Sequence, residues 1–406
     1  MGNGTIRNIK KQENTSMKLN VPRHILPVIF LSLFGCSSLW FAGNGIMTDL
    51  IRVYVLAPTA LGHLTAAVQF GFITGTLLFA LLTIADRYSP SRVFFLCATL
   101  GAICNLGMLL EGNTIASLVS LRFITGFFLA GIYPVGMKIA ADYIDKGLGK
   151  SLGFLVGALV LGTSMPHLLN GFAGSIPWQT VILATSLLSL LGGLFMLVFV
   201  PDGPFQKPSV GLNPTAFLKV FREPGFRASA FGYFGHMWEL YAFWTYIPFL
   251  IESYSSSNPD IEMSTALTSF FVIGIGGPAC VMGGYLSNYM GTKRTAALFL
   301  GLSCCCCLLS PFVFNSSSYP LFSVFLLFWG AVVIADSPLF SALVANNAHA
   351  ESKGTALTIV NCIGYAITIV SIQLLNFLRD LMNVHYIYML LALGPVLGLL
   401  ALCRRK

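Results

Sequence analysis

Long apolar runs recur twelve times along this chain, separated by short stretches that carry charge, Gly or Pro. They fall at about 25–50, 58–84, 92–111, 115–138, 150–172, 178–200, 226–252, 263–287, 294–314, 319–345, 354–378 and 385–403. Each is close to the roughly 20 apolar residues that an α-helix needs to cross a hydrocarbon core. The pattern therefore predicts twelve transmembrane helices, numbered here as spans 1–12. Residues 1–24 are polar and basic. The apolar run behind them is too long and continuous for a secretory signal, and Ile6 stands where a myristoylation site needs Ser or Thr.

Composition agrees with the pattern. Of 406 residues 56% are hydrophobic and 9% charged, with a mean hydropathy of +0.79. A soluble domain carries about 25% charge, so a cytosolic enzyme, a nucleic-acid-binding domain and a disordered regulator are excluded. The net charge of +8 matters less than where the charges lie. With the N-terminus inside, the tails and the even-numbered connections hold 19 of the 23 basic residues, from Arg7 to Lys406. Arg52 and Arg379 lie outside, and Arg122 and Lys138 fall within a span. This asymmetry predicts both termini in the cytoplasm and a plasma membrane, such as a bacterial inner membrane, around the chain. The ten cysteines include the run Cys304–Cys307 inside an apolar stretch. One contiguous helix builds neither a tetrahedral zinc site nor a disulfide framework from them, so they read as small packing residues.

The longest cytoplasmic connection, 201–225, is rich in Pro and Gly and divides the chain into two sets of six spans, 25–200 and 226–403. Segments 1–24 and 404–406 are expected to be cytoplasmic tails. A repeat crosses the linker. Asp86 and Asn288 end spans 2 and 8, and Arg92 and Arg294 follow at the same offset. Pro134 and Pro338 kink spans 4 and 10 at nearly that offset. Such duplication fits a transporter of two similar bundles with its substrate held between them.

Particular residues now carry a resemblance to the major facilitator superfamily, over residues 25–403. The family's Gly-x-Leu-x-Asp-Arg-x-Gly-Arg-Arg signature after span 2 is approximated by LTIADRYSPSR (Leu82–Arg92), which keeps Asp86 and Arg87. Its second copy, GYLSNYMGTKR (Gly284–Arg294), keeps both glycines, Lys293 and Arg294 but has Asn288 for the acid. RFITGFFLAGIYP supplies Arg122, Gly126, Gly131 and Pro134 of the span-4 signature. The resemblance implies an all-α integral membrane fold of two six-helix bundles related by a pseudo-two-fold axis. It also implies a central cavity lined by spans 1, 4, 7 and 10. A cytoplasmic gate of Asp86, Arg87, Arg92, Asn288, Lys293 and Arg294 would hold the outward-open state.

An ionisable side chain at the centre of a span costs about 2.5–3.5 kcal/mol on insertion scales, so each needs a partner, water or a function. The deepest are Arg122 in span 4, His236 and Glu239 in span 7, Asp336 in span 10 and His167 in span 5. Glu239 and His236 share one helix face three residues apart, and protonating a carboxyl there removes its charge before the bundles rock. Glu239 is thus the expected proton carrier with His236 as hydrogen-bond partner; a buried structural contact is the alternative. Asp336, two residues before Pro338, lies where the helix opens, and is either a second proton site, the counter-ion of Arg122, or a kink-stabilising group. Arg122 cannot lose its proton, so it either forks onto an anionic substrate or neutralises a buried acid. Lys138 is expected to snorkel and pair with Asp142, four residues on.

Trp40, Phe41, Trp238, Tyr241, Trp244 and Tyr246 gather on spans 1 and 7 beside Asn44, as residues lining a cavity for an amphipathic molecule do; Trp and Tyr at the lipid interface are the competing explanation. Asn44, Trp238, Tyr241 and Arg122 form the expected substrate-binding set. Gly153, Gly157, Gly162 and Ser164 allow span 5 to pack closely. Met165 stands before Pro166, where efflux antiporters of the resembling family usually have Gly. No nucleotide-binding loop, zinc spacing, nucleophile elbow or dinucleotide fingerprint is present, so no cofactor or metal is expected, and energy must come from an ion gradient. The sequence predicts a monomeric, proton-coupled secondary transporter, not an enzyme, moving a small organic anion by alternating access. The alternatives are an exporter of hydrophobic or cationic compounds and a transporter-like receptor that does not translocate.

Overall fold

The computed structural model describes residues 22–143, 148–172, 177–204, 218–349 and 353–403. The N-terminal tail to residue 21, the body of the linker (205–217) and the C-terminal tail lie outside the described residues. Among the described residues the chain is all helix and turn, with no strand. Ten helical segments are long and apolar enough to cross a membrane. The remaining two spans are exceptions for identifiable reasons. Span 7 is one helix, Pro224–Ser257, 34 residues long, but its tyrosines, tryptophans, serines, His236 and Glu239 lower its hydropathy. Span 1 is broken: helix Ile25–Ser37 gives way to turns, then to Asn44–Ile46 and Met47–Tyr54. The sequence there, GCSSLWFAGNG, concentrates Gly and Ser, which are weak helix formers.

Prolines break other spans in two, because each removes an N–H and displaces the carbonyl four residues before it. Span 4 is Ile115–Leu129 and Tyr133–Ala141, parted ahead of Pro134. Span 8 is Thr265–Gly274 and Gly276–Met290, parted ahead of Pro278, and span 10 is Tyr319–Ala335 and Ser337–Asn347, parted at Asp336. The unbroken spans are 2 (Ala60–Leu81), 5 (Leu148–Phe172), 6 (Gln179–Phe199), 9 (Thr292–Phe314) and 11 (Lys353–Leu378). Span 3 (Pro90–Leu106) runs into a short 3-10 turn, and span 12 starts as short turns before Leu393–Cys403.

Two six-helix bundles result. In the first, span 2 packs on span 4 and span 6 on spans 1 and 3; in the second, span 7 packs on spans 11 and 12 and span 8 on span 10. Spans 2 and 11, and spans 5 and 8, meet across the bundle boundary. The repeat read in the sequence is physical. A Cβ at Gly126 would lie 2.1 Å from the Val68 carbonyl oxygen, and one at Gly330 would lie 1.9 Å from that of Val272. Gly330 and Val272 are the same 204 residues beyond their counterparts as Pro338 is beyond Pro134. Both bundles thus use one glycine to bring equivalent helices into backbone contact, the close packing that drives helix association in lipid.

Candidate functional site

Between the bundles lies a cavity of about 420 Å³, within the range of small-molecule sites. Its walls come from spans 2, 4, 5, 7, 10 and 11. They include residues at the helix ends nearest the linker: Asp86 and Thr83 below span 2, Ala141 in span 4, Leu152 in span 5, Ala345 in span 10, and Lys353 and Gly354 in span 11. The cavity therefore reaches the linker face. At its blind end the bundles close on each other through aromatic rings. Trp40 of span 1 stacks on Tyr241 and Tyr365, with ring centroids 5.9 and 5.7 Å apart, and leans on Phe72 at 4.9 Å; Phe41 meets Trp244 edge-on at 6.3 Å. Further toward the far face, Gln373 donates to the Gly62 carbonyl and Asn376 to that of Thr59, each at 3.1 Å. Spans 2 and 11 are thus tied at one end and separated by the cavity at the other.

Span 1 contributes its rings to this seal and no residue to the cavity wall, and spans 2, 5 and 11 join the lining in its place. This corrects the expectation that spans 1, 4, 7 and 10 form the walls. Tyr241 of the expected substrate set does line the cavity. Asn44 and Trp238 do not: the Asn44 amide donates to Thr65 Oγ1 at 2.9 Å, and the Trp238 indole N–H donates outward to the Leu390 carbonyl at 3.2 Å. Both are spent on neighbours in their own bundle.

The deep charges also lie behind the wall. Arg122, 1% exposed, donates from Nη1 to the Leu39 carbonyl at 3.0 Å and to Asn105 Oδ1 at 3.5 Å, and from Nη2 to the Trp40 carbonyl. These carbonyls belong to the broken stretch of span 1, where a helix would have satisfied them itself. In hydrocarbon an unsatisfied backbone group costs several kcal/mol, and the guanidinium's multiple donors meet that need. Among the described residues Arg122 makes no ion pair, so its pairing with Asp336 is not observed. Asn105 continues the network, donating to Thr185 Oγ1 at 3.1 Å and Ser186 Oγ at 2.9 Å.

Glu239 does not pair with His236. Its carboxylate accepts from Ser303 Oγ at 2.8 Å, Trp329 Nε1 at 2.7 Å and Cys307 Sγ at 3.3 Å, so it faces spans 9 and 10 inside the second bundle. His236 meets span 10 at another level, its Nδ1 2.9 Å from Asp336 Oδ1, with both side chains 1% exposed. Among the described residues neither the Asp336 carboxylate nor His236 Nε2 has a further hydrogen-bond partner. The two groups are in close polar contact, an ion pair when the imidazole carries its second proton. The i, i+3 argument placed His236 and Glu239 on one side of the helix correctly but could not say that each would find its own partner on span 10, Asp336 for one and Trp329 for the other.

At the cavity mouth Lys138 makes an ion pair with Asp86, at side-chain exposures of 25% and 19%. Asp142, its expected partner, is covered instead by Gly203 of the connection. Lys353 also lines the mouth and has no ion pair among the described residues. The remaining gate residues, Arg87, Arg92, Asn288, Lys293 and Arg294, are exposed, and Arg87 reaches only Thr83 of its own turn. Tyr133, Tyr233, Tyr365, Asn361, Thr358 and Lys353 are lining residues that sequence reasoning missed. A signal was present: Lys353, Leu357, Asn361 and Tyr365 recur at helical spacing along span 11, as Tyr233, Met237, Leu240 and Tyr241 do on span 7. Among the described residues no cluster of His, Cys, Asp or Glu has the makings of a metal site.

The fold and the sequence have recognisable relatives. The human organic anion transporter MFSD10 has a similar structure, with a TM-score of 0.71 and 15% identity over 94% of this chain and 99% of that one. No curated protein gives a significant sequence match. A profile described as Major Facilitator Superfamily matches residues 25–372. With two bundles related by a repeat, a cavity between them and that match over most of its length, the chain is an integral multi-pass membrane transporter and belongs to the Major Facilitator Superfamily.

Proposed function

We propose that this chain is a proton-coupled secondary transporter that moves a small organic anion by alternating access. The two halves, 25–200 and 226–403, rock about the linker 201–225, and both termini lie in the cytoplasm. The observation that carries this reading is the cavity itself, open toward the linker face and closed at its other end by cross-bundle rings. Rocking that parts Trp40 from Tyr241 and Tyr365 while closing spans 2 and 11 at the mouth exposes the same site to the opposite side. The exposed loop residues Asp86, Arg87, Arg92, Asn288, Lys293 and Arg294 are then the groups that come together as the mouth shuts. A single chain contains the whole path, so a monomer suffices.

The anion assignment rests on the mouth, where Lys138 and Lys353 face one acid, Asp86, and the likeness in fold to an organic anion transporter supports it. The proton assignment goes to His236 and Asp336 rather than Glu239. His236 stands three residues from Tyr233 and four from Leu240 on the lining face and holds Asp336 behind it, whereas no lining residue is three or four places from Glu239, so a proton arriving at the pair changes the charge directly behind the substrate. Glu239 already has three donors and lies away from the cavity. The test is counterflow in proteoliposomes with a panel of organic acids, repeated with an imposed pH gradient. Exchange that speeds up or becomes concentrative under the gradient supports the reading; a chain that exchanges no solute overturns it.

A further inference from the structure

Resting on that reading, we infer that the cargo is an amphipathic aromatic monoanion, seated with its acid group at Lys353 beside Lys138 and its ring against Tyr233, Tyr241 and Tyr365. The charge count of the lining sets the valence. Asp86, Lys138 and Lys353 are its charged residues. Asp86 and Lys138 already neutralise each other. Among the described residues one positive charge is left over, which matches one negative charge on the cargo and leaves a second uncompensated.

The distribution of polarity sets the orientation. All three charges stand at the mouth. Lys353 and Tyr365 are twelve residues apart on one helix, about 18 Å along its axis. Between them the wall is mostly apolar, with Leu357, Met237, Leu240, Ile334, Val156 and Leu159, and its polar groups Thr358, Asn361, Ser337 and Ser341 are neutral, so an anionic group there would lose hydration without gaining an opposite charge. The blind end changes character again. The hydroxyls of Tyr241 and Tyr365 meet at 3.1 Å, and Tyr133 and Tyr233 share the same space. Aromatic faces and edges of this kind hold another ring in offset or edge-on contact, worth about 0.5–1.5 kcal/mol beyond area alone. Tyrosine faces also attract cations, but a cation must first pass the uncompensated ammonium of Lys353. The gradient from cation through apolar wall to phenol therefore fits an aryl-tailed acid.

The experiment uses the full chain in nanodiscs, read by ligand-induced shift in unfolding temperature and by counterflow. Three probes are compared: phenylbutanoate, octanoate and phenylbutylamine. Phenylbutanoate should stabilise and exchange most strongly, octanoate less, and the amine least. Lys353→Gln, at the half-buried start of span 11, should weaken phenylbutanoate about tenfold, the size of one partly desolvated charge contact. Tyr365→Leu should shrink the preference for phenylbutanoate over octanoate by about three- to tenfold, as expected for a lost aromatic pair, with octanoate binding showing that the variant is folded. A stronger response to the amine, or phenylbutanoate affinity unmoved by Lys353→Gln, overturns the inference while leaving a transporter in place. A chain that exchanges none of these nor any other solute in the panel overturns the proposed function instead.

Discussion

Arg122 in the first bundle and the His236–Asp336 contact in the second are equally buried, yet they are satisfied very differently. Arg122 donates three hydrogen bonds, two to the Leu39 and Trp40 carbonyls in the broken stretch of span 1 and one to Asn105 of span 3. Its charge is used to complete a backbone. His236 and Asp336 have one contact between them, directly behind the cavity lining. A buried charge held by several hydrogen bonds has little reason to change state. One held by a single neighbour behind the cavity wall is, on the proposed reading, the group that exchanges a proton.

Substitutions can break this contrast. The largest effect is expected from Arg122→Leu, which leaves the span 1 carbonyls and the Asn105 oxygen short of donors, each costing roughly 1–3 kcal/mol. A loss on the order of 3 kcal/mol should appear as a sharp fall in unfolding temperature and in the yield of monodisperse protein; a variant as stable as the parent would show that Arg122 is not structural. Next comes Asp336→Asn. It should fold with a change of about 1 kcal/mol, within the ordinary range for single substitutions. Gradient-driven accumulation should fall at least about tenfold while counterflow exchange persists, and equal loss of both would separate Asp336 from proton movement.

Smaller effects sharpen the comparison. Glu239→Gln keeps one oxygen to accept from Trp329 and turns its NH2 to Ser303 Oγ, which can accept while its own hydroxyl stays on the Leu300 carbonyl, so it should cost less than about 1.5 kcal/mol and leave the pH dependence of transport unaltered. A shifted pH profile in that variant would move the proton site to the interior of the second bundle. Asp86→Asn, at the partly exposed mouth, should change stability by no more than about 1 kcal/mol, the usual worth of such a pair. Its readout is therefore the salt dependence of anion uptake, which should steepen as Lys138 is freed to add to the positive mouth.

How much was readable in advance depends on the range of the interaction. Spans, breaks at Pro134 and Pro338, and the repeat follow from local pattern, and the glycines that bring equivalent helices together kept the same spacing in both halves. Span 1 was read as one run, because its apolar content hides a Gly- and Ser-rich break. Arg122, Glu239, His236 and Asp336 were recognisable as residues that need partners, since hydrocarbon penalises each of them in isolation. Their partners were misjudged wherever proximity in sequence stood in for proximity in space. Lys138 meets Asp86, 52 residues away, rather than Asp142, and His236 meets Asp336 rather than Glu239.

The amino-acid order alone determined that this chain lives in a bilayer, crosses it repeatedly and is built twice over, because the cost of exposing polar atoms to hydrocarbon acts on every short segment independently. Which charges serve the backbone, which border the cavity, and that rings from spans 1, 7 and 11 close one end of it were settled only by how the helices turn toward one another. Rotation of a helix about its axis is set by neighbours from distant parts of the chain, and a change of a third of a turn moves a side chain from the cavity wall into the packed interior.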